Sequence, residues 1–362
     1  MNKVINVALN KEAKAAIEIS KITGLGNEFD GNINWPLFFQ YLISNRMLSL
    51  FWKNSNHMLI KQAMPKYIST VARSMYISTK YRNEIYFSEL NKILQLCKEN
   101  QITCVPVKGA RLIPLLYKDY GSRFMGDVDC LISQESFSAI NDIMISLGYI
   151  QGKFDKDLQK IIPINRAEKL KWKLNMSNYY PYLKECDSEH MRIIKIDFRY
   201  SLDDTLSTSS MKEIIDHVFK AGEMKKAHTL VHLCTHLYDE SKHSMSLYIG
   251  KDVNLIKYVD IREFILQIMT EEDLVEAVQF CLKYKLEKQL YYVLHHLELI
   301  YNDGYEEKYL DMLGIKDTAF LNTYGDNTLN DNKVWKKTFF QRMFSGNNSD
   351  ELDETPKYFV EI

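Results

Sequence analysis

The spacing of apolar and polar residues divides the chain into helical ends and a β-rich middle. Between residues 11 and 100, apolar residues recur at three- and four-residue intervals, as in residues 35–43 and 86–94. This period places apolar side chains on one face of a helix, so the pattern predicts a helical amino-terminal region over residues 1–100. The same period returns beyond residue 211 and predicts a helical carboxyl-terminal domain over residues 206–320.

The middle of the chain changes to short apolar runs of the length that strands have. Residues 102–107 read Ile-Thr-Cys-Val-Pro-Val and are followed by Lys108-Gly109. Apolar, β-branched runs of this length, bounded by turn residues, predict strands. The predicted elements are a strand at 102–107, a helix at 110–117, a strand at 127–132, a helix at 134–147 capped by Gly148, and a strand at 191–199.

Together these elements predict an α+β fold. Its core, residues 101–205, is a small mixed β-sheet flanked by the amino-terminal helices and the carboxyl-terminal helical domain. The Lys- and Tyr-rich insertion at 151–189 follows neither period, and its structure is left open. Residues 321–362 are rich in Asn, Asp and Gly around an apolar island at 334–344, which predicts a tail with one docked helix.

Composition and charge narrow the class of protein. Lys and Arg number 46 against 47 Asp and Glu, so the net charge of −1 creates no overall field that favours nucleic acid or an anionic membrane. The chain has no run of about 18 apolar residues and no leader pattern, so we expect neither export nor membrane insertion. Its six cysteines show no paired spacing, which predicts reduced thiols and a cytoplasmic location.

The segment Gly-Asp-Val-Asp at 126–129 carries the first candidate chemistry. Asp127 and Asp129 are two residues apart in a predicted strand, where alternate side chains share a face. Two carboxylates on one face can reach one hard cation, while the apolar residues between and after them bury the strand. The pair therefore predicts a metal-ion site.

Two further features complete a recognisable layout. Asp197 ends the apolar run of the last predicted strand, and the Lys108-Gly109 turn joins the first strand to its helix. This layout is that of a nucleotidyltransferase, because moving a nucleotidyl group requires divalent ions that stabilise the entering and leaving oxygens. Gly109 permits close approach of backbone to phosphate, the following helix offers free N–H groups, and Lys108 adds positive charge.

These residues resemble the DNA polymerase β-type nucleotidyltransferase superfamily and, within it, an uncharacterised bacterial group of nucleotidyltransferase family proteins. That group has an apolar strand ending in Lys-Gly, an Arg shortly before Gly-Asp-Ile-Asp, a later Asp-containing strand, and His-bearing helices. The similar positions, spread over roughly residues 30–300, are Lys108-Gly109, Arg123, Gly126-Asp127-Val128-Asp129, Asp197, His232 and His236, with Asn34-Trp35 and residues 254–261 as similar flanks.

The resemblance implies a role for each acid. Asp127 and Asp129 would bind both of two Mg²⁺ or Mn²⁺ ions. Asp197 would complete the site of one ion and orient or deprotonate the acceptor hydroxyl.

The resemblance also implies the substrates. Lys108 and the Gly109 backbone would hold the triphosphate of a nucleoside triphosphate such as ATP, and Arg123 would contact phosphate. Pyrophosphate would be released, and the nucleoside monophosphate would pass to a hydroxyl or similar group on a small molecule, peptide or protein. The insertion at 151–189 and the carboxyl-terminal helices would shape the acceptor pocket.

Two departures from the family pattern keep a second class of function open. The wider superfamily has Gly-Ser where this chain has Lys108-Gly109, so a serine contact to phosphate is absent. The strand with the third acid often continues Asp-x-His-Trp in the group, whereas here it reads Asp197-Phe-Arg-Tyr200. The alternative is a catalytically silent module that binds a nucleotide or a partner in the same cleft.

Two other functions are less favoured. His228, His232 and His236 recur at four-residue steps and, with Asp239 and His243, could be the zinc site of a metallohydrolase. No Glu follows the first His as in His-Glu-x-x-His, so helix packing or a role at the acceptor site is preferred. A template-directed polymerase is disfavoured because no strongly basic surface is evident, although a tRNA-sized acceptor stays open.

Overall fold

The computed structural model describes residues 9–22, 32–55, 60–176, 178–201, 208–325, 333–346 and 348–353. These residues form two compact units. One contains the described residues of Met1–Tyr76 and Leu233–Lys357, and the other those of Ile77–His232. This division differs from the sequence-based one at residues 100, 205 and 320, because amino-terminal helices pack against carboxyl-terminal helices within the first unit.

The described residues form sixteen α-helices and eight β-strands. The helices are α1 (Lys11–Ser20), α2 (Trp35–Ser44), α3 (Leu48–Ser55), α4 (Ile60–Ala63), α5 (Lys66–Glu99), α6 (Gly109–Leu112), α7 (Phe137–Ser146), α8 (Arg166–Asn175), α9 (Thr208–Ala221), α10 (Lys226–Lys242), α11 (Ser244–Tyr248), α12 (Leu255–Ile268), α13 (Glu271–Tyr284), α14 (Glu287–Tyr301), α15 (Glu307–Leu313) and α16 (Phe339–Ser345). The strands are β1 (Cys104–Val107), β2 (Val128–Ile132), β3 (Ile150–Asp155), β4 (Lys160–Pro163), β5 (Tyr182–Ser188), β6 (Met191–Arg199), β7 (Thr323–Tyr324) and β8 (Lys333–Val334). A π-helical turn, Ile113–Tyr117, continues α6, and short 3-10 turns lie at Ala319–Asn322 and Ser349–Glu351.

The second unit is built around a six-stranded mixed sheet with the strand order β1-β2-β6-β5-β3-β4. Strands β2 and β6 are parallel, and the other neighbouring pairs are antiparallel. The predicted α+β class is therefore confirmed. The insertion at 151–189, whose structure the sequence left open, contains or overlaps three of these strands, β3, β4 and β5, and the helix α8.

One face of the sheet packs in a hydrophobic core, and the opposite face carries the acids. Alternate residues of β2 and β6 pack with α5 and α7 in one hydrophobic core. The alternating core residues of these two strands are Val128, Cys130, Ile132, Ile194, Ile196 and Phe198, and Met191 at the start of β6 belongs to the same core. Because successive side chains of a strand point to opposite faces, Asp129 and Asp197 lie on the other face.

The first unit is helical, apart from the short β7–β8 pair. In its last helix, α16, Phe344 packs against Tyr41 of α2 with ring centroids 4.8 Å apart. Asn45 also donates a hydrogen bond of 2.9 Å to the carbonyl oxygen of Met343. Helix α16 overlaps the apolar island of the predicted tail, and tail residues 326–332, 347 and 354–362 lie outside the described residues.

Two chain-wide features bear on the sequence-based expectations. Within the described part of the chain, none of the helices combines the length and the apolar character needed to cross a bilayer. All six cysteines are free thiols.

Candidate active site

Strand pairing brings two of the predicted acids face to face. In the parallel register of β2 and β6, Asp129 lies directly opposite Asp197. Both carboxylates are almost buried, with 6% and 5% of the residue surface exposed. Asp127 stands one residue before β2, and its side chain is 38% exposed. The site therefore has two buried acids and one partly exposed acid.

Three basic side chains contact these acids. Lys195 Nζ lies 3.4 Å from Asp127 Oδ2 and 3.5 Å from Asp197 Oδ2. Arg199 Nε donates a hydrogen bond of 2.8 Å to Asp129 Oδ1. Lys108 Nζ lies 3.4 Å from the same oxygen. The candidate site thus pairs three carboxylates with three cations.

The sequence interpretation gave no role to Lys195 or Arg199. Both precede or follow Asp197 by two residues in β6, so the three side chains point to one face of the sheet. The same alternation that drew attention to Asp127 and Asp129 could have identified them. Acidic and basic side chains both lie on this face, so a pattern of acids alone does not reveal Lys195 and Arg199.

Burial makes Asp197 the unusual acid of the group. It raises the pKa of Asp197 to about 7, since a buried carboxylate loses its hydration. Lys195 opposes this rise, while the charges of Asp127 and Asp129 add to it. Asp197 can therefore gain or lose a proton near neutral pH.

The basic partners keep their charge. Burial lowers the pKa of Lys195, but Asp197 and Asp127 outweigh burial, so its pKa lies above the ordinary value. The pKa of Arg199 is likewise raised, because Asp129 outweighs burial. Both side chains remain cations throughout the neutral range.

One oxygen of the site lacks a donor. Asp197 Oδ1 is buried and accepts no hydrogen bond from the described residues. A buried polar atom without a partner is costly and calls for an explanation such as a bound ion or water. This oxygen lies on the same face of the sheet as Asp129.

The Lys108-Gly109 turn has a strained backbone. Lys108 has φ +50° and ψ −129°, a region that glycine adopts readily and other residues rarely do. The α-helix after it, α6, has only four residues and continues as the π-helical turn. The turn is therefore followed by a short, irregular helix and not by a regular helix start.

The loop before β2 is fixed from behind by α5. Asn83 is fully buried, and its amide nitrogen donates hydrogen bonds of 2.7 Å to the carbonyl oxygens of Tyr120 and Arg123. The hydroxyl of Tyr86 donates a hydrogen bond of 2.6 Å to the carbonyl oxygen of Gly126. These bonds hold the backbone of the loop immediately before Asp127. The guanidinium of Arg123 donates to the carbonyl oxygen of Phe124 within the same loop.

A basic helix borders the end of β6. Trp172 of α8 donates hydrogen bonds of 3.2 Å to Asn178, which pairs with Arg199 in a β-bridge. The hydroxyl of Tyr200 donates a hydrogen bond of 2.9 Å to the carbonyl oxygen of Met176, just after α8. The helix carries Arg166, Lys169, Lys171 and Lys173 against Glu168. The insertion thus packs a basic helix next to the carboxyl-terminal end of β6.

The histidines give no support to a zinc site. His228 and His232 are buried, His236 lies 3.4 Å from Glu240, and His243 accepts a hydrogen bond from the Met245 backbone at the start of α11. Among the described residues, Glu298, Asp303 and Glu306 form the one group of three potential ligands whose atoms lie within 4.8 Å of one another.

Comparison with known proteins identifies a family. The model of a family described as an uncharacterised nucleotidyltransferase matches residues 31–302. No curated protein and no solved structure matches the chain. The match includes every residue of the candidate site, from Lys108 to Arg199.

Proposed function

The chain belongs to the uncharacterised nucleotidyltransferase family, and on that basis we propose that it transfers a nucleoside monophosphate from a nucleoside triphosphate to an acceptor. The main support for this proposal is that Asp129 and Asp197 lie opposite each other on adjacent parallel strands, with Asp127 beside them. Acids converging on one sheet face are what divalent-ion-assisted transfer requires.

The residues present fit Mg²⁺ or Mn²⁺. Three carboxylates supply hard oxygen ligands, and Asp197 Oδ1 is a buried acceptor that lacks a donor among the described residues. Asp127, Asp129 and Asp197 would hold the ions. Bound there, the ions would stabilise negative charge on the entering and leaving oxygens.

The chain's own groups would do the remaining work. Asp197, which lies opposite Asp129 on the adjacent strand, would orient or deprotonate the acceptor hydroxyl. Lys108 and Arg123 would contact the triphosphate, together with the backbone of Gly109. The basic helix α8 would border the acceptor.

Pyrophosphate release tests this proposal. Each of the four nucleoside triphosphates is supplied with Mg²⁺ or Mn²⁺, and the full chain is compared with Asp127→Ala/Asp129→Ala. We expect release from at least one nucleotide, loss of release on chelation, and loss in the double variant. The control, Asp142→Ala, removes an exposed acid on α7 and should retain release. Equal release by the double variant would refute the metal-ion assignment.

The alternative is a module that binds a nucleotide without transferring it. It is motivated by the missing serine in the turn, where this chain has Lys108-Gly109, and by the strained backbone of Lys108. Metal-dependent nucleotide binding, with no pyrophosphate release even when cell extract supplies acceptors, would favour this alternative. Labelled-nucleotide transfer onto a component of the extract would decide against it.

A further inference from the structure

The charge balance of the site suggests how the metal ion and the nucleotide arrive. We propose that Lys195, with Arg199 and Lys108, makes the site bind a divalent ion together with a nucleoside triphosphate in preference to the ion alone. This inference rests on the proposed function, since it concerns the same site. It assigns to Lys195 and Arg199 a selectivity that the acids by themselves would not have.

The contacts define the competition. Lys195 bridges Asp127 and Asp197 at 3.4 Å and 3.5 Å, so one ammonium serves two of the acids that would hold the ion. Arg199 occupies Asp129 with a hydrogen bond of 2.8 Å, and Lys108 lies 3.4 Å from the same oxygen. Within the described part of the chain, these three acids do not form a group with ligand atoms inside 4.8 Å of one another.

A divalent ion alone meets an unfavourable balance. Three carboxylates already face three cations, so the added ion must either displace a cation or lie beside it. A triphosphate changes this balance because it brings several negative charges and gives a displaced ammonium or guanidinium a new partner. The ion and the nucleotide should therefore bind cooperatively, each raising the affinity for the other.

Lys195 offers the sharper test because it contacts two acids. Lys195→Met removes the charge and keeps most of the side-chain length, whereas Lys195→Arg keeps the charge. The matched control is Lys184→Met on the neighbouring strand β5. Lys184 is 29% exposed against 30% for Lys195, and it pairs with Glu89 at 2.8 Å, a carboxylate outside the site.

Mn²⁺ binding to the full chain measures the effect without relying on turnover. Free Mn²⁺ is followed by electron paramagnetic resonance, with and without a non-hydrolysable triphosphate analogue. We expect weak binding of Mn²⁺ alone to the wild type, and tighter binding with the analogue. Lys195→Met should bind Mn²⁺ alone at least about tenfold more tightly, with a smaller gain from the analogue. Lys195→Arg and Lys184→Met should behave like the wild type.

Two results would overturn the inference. One is equal Mn²⁺ affinity of the wild type and Lys195→Met without nucleotide; the other is an equal gain in Lys184→Met. If Lys195→Met does not fold, as judged by circular dichroism, Arg199→Met makes the same test at Asp129. Pyrophosphate release by the wild type, measured on the same preparation, separates the two proposals, because release can persist when Mn²⁺ binding shows no such selectivity.

Discussion

The hydroxyl of Tyr86 on α5 donates a hydrogen bond of 2.6 Å to the carbonyl oxygen of Gly126, the residue immediately before Asp127. Tyr86 is itself 1% exposed, so this bond connects the backbone next to Asp127 to the hydrophobic core. Burial, with a further contribution from Asp127, raises the pKa of Tyr86 to about 12, and the phenol remains a donor at neutral pH. The position of Asp127 thus depends on a side chain outside the site.

Removing this bond should affect activity as well as stability. We expect Tyr86→Phe to lower the free energy of unfolding by about 1 to 2 kcal/mol, because the carbonyl oxygen of Gly126 loses its donor. Pyrophosphate release should fall by about tenfold, since Asp127 is then less firmly placed. Urea unfolding and a pyrophosphate assay measure the two effects.

Tyr182→Phe is the matched control. Its hydroxyl donates a hydrogen bond of 2.8 Å to Asn141 of α7, and Tyr182 is also 1% exposed. This variant should lose comparable stability and keep its activity. If both variants lose activity equally, the anchoring role of Tyr86 is wrong.

The strained turn predicts a trade between stability and activity. Lys108→Gly should raise the free energy of unfolding by about 1 kcal/mol, because glycine adopts this backbone conformation readily. Pyrophosphate release should nevertheless fall by at least about tenfold, because the ammonium beside Asp129 is lost. Lys285→Gly, at φ +59° after α13, is the control that should gain stability with unchanged release. Full activity of Lys108→Gly would remove the side chain from the site.

Asp197 should matter more to catalysis than to folding. Asp197→Asn keeps the shape of the side chain and removes a group whose ionisation burial disfavours. We expect the melting temperature to stay close to the wild-type value, while pyrophosphate release falls by about 100-fold or more. Asp142→Asn on the exposed side of α7 should change neither quantity. Retained release in Asp197→Asn would show that the third acid is dispensable.

A buried lysine of the first unit predicts a pH dependence of stability. Lys242 is 8% exposed, donates to the carbonyl oxygens of Phe320 and Thr323, and has a pKa lowered to about 7 by burial, with Arg342 and Lys288 adding to the shift. An unfolded lysine titrates near pH 10.4, so between these values the unfolded chain binds the extra proton. The free energy of unfolding is therefore highest above the pKa of the unfolded lysine, and it decreases as the pH falls toward 7.

The measurement compares wild type with Lys242→Met by urea unfolding at several pH values from 7 to 10. Relative to the variant, the wild-type free energy of unfolding should rise by up to about 1.4 kcal/mol per pH unit. Lys316→Met, which removes an exposed lysine, should follow the wild type. Parallel curves for wild type and Lys242→Met would contradict the lowered pKa.

The sequence predicted the strands that carry the acids because those strands are simple. β2 and β6 are apolar on one face and coincide closely with the predicted residues 127–132 and 191–199. The sequence also identified Asp127, Asp129 and Asp197 as candidate site residues, because a strand fixes which side chains share a face. The facing of Asp129 and Asp197 could not be read in advance, because strand order and register depend on contacts between distant residues.

The structure of the insertion at 151–189 was harder to predict from the sequence, for physical reasons. β4 is four residues long and largely exposed, so its sequence carries no alternation of apolar and polar residues. Helix α8 buries Trp172 but exposes Leu170 and Leu174, which obscures its apolar face. The contacts of Lys195 with Asp127 and of Arg199 with Asp129 join different segments, so they depend on strand register, which the sequence alone does not give.

The parallel pairing of β2 and β6 has a consequence for how the protein becomes active. Asp129 and Asp197 belong to strands separated in the chain by α7, β3, β4, α8 and β5, yet β6 lies between β2 and β5. The acids can meet only after these intervening segments have formed and β6 has entered the sheet, a pairing of high contact order. We expect a nascent or partly folded chain to lack a usable site, so that catalytic competence appears only when folding of the sheet is complete.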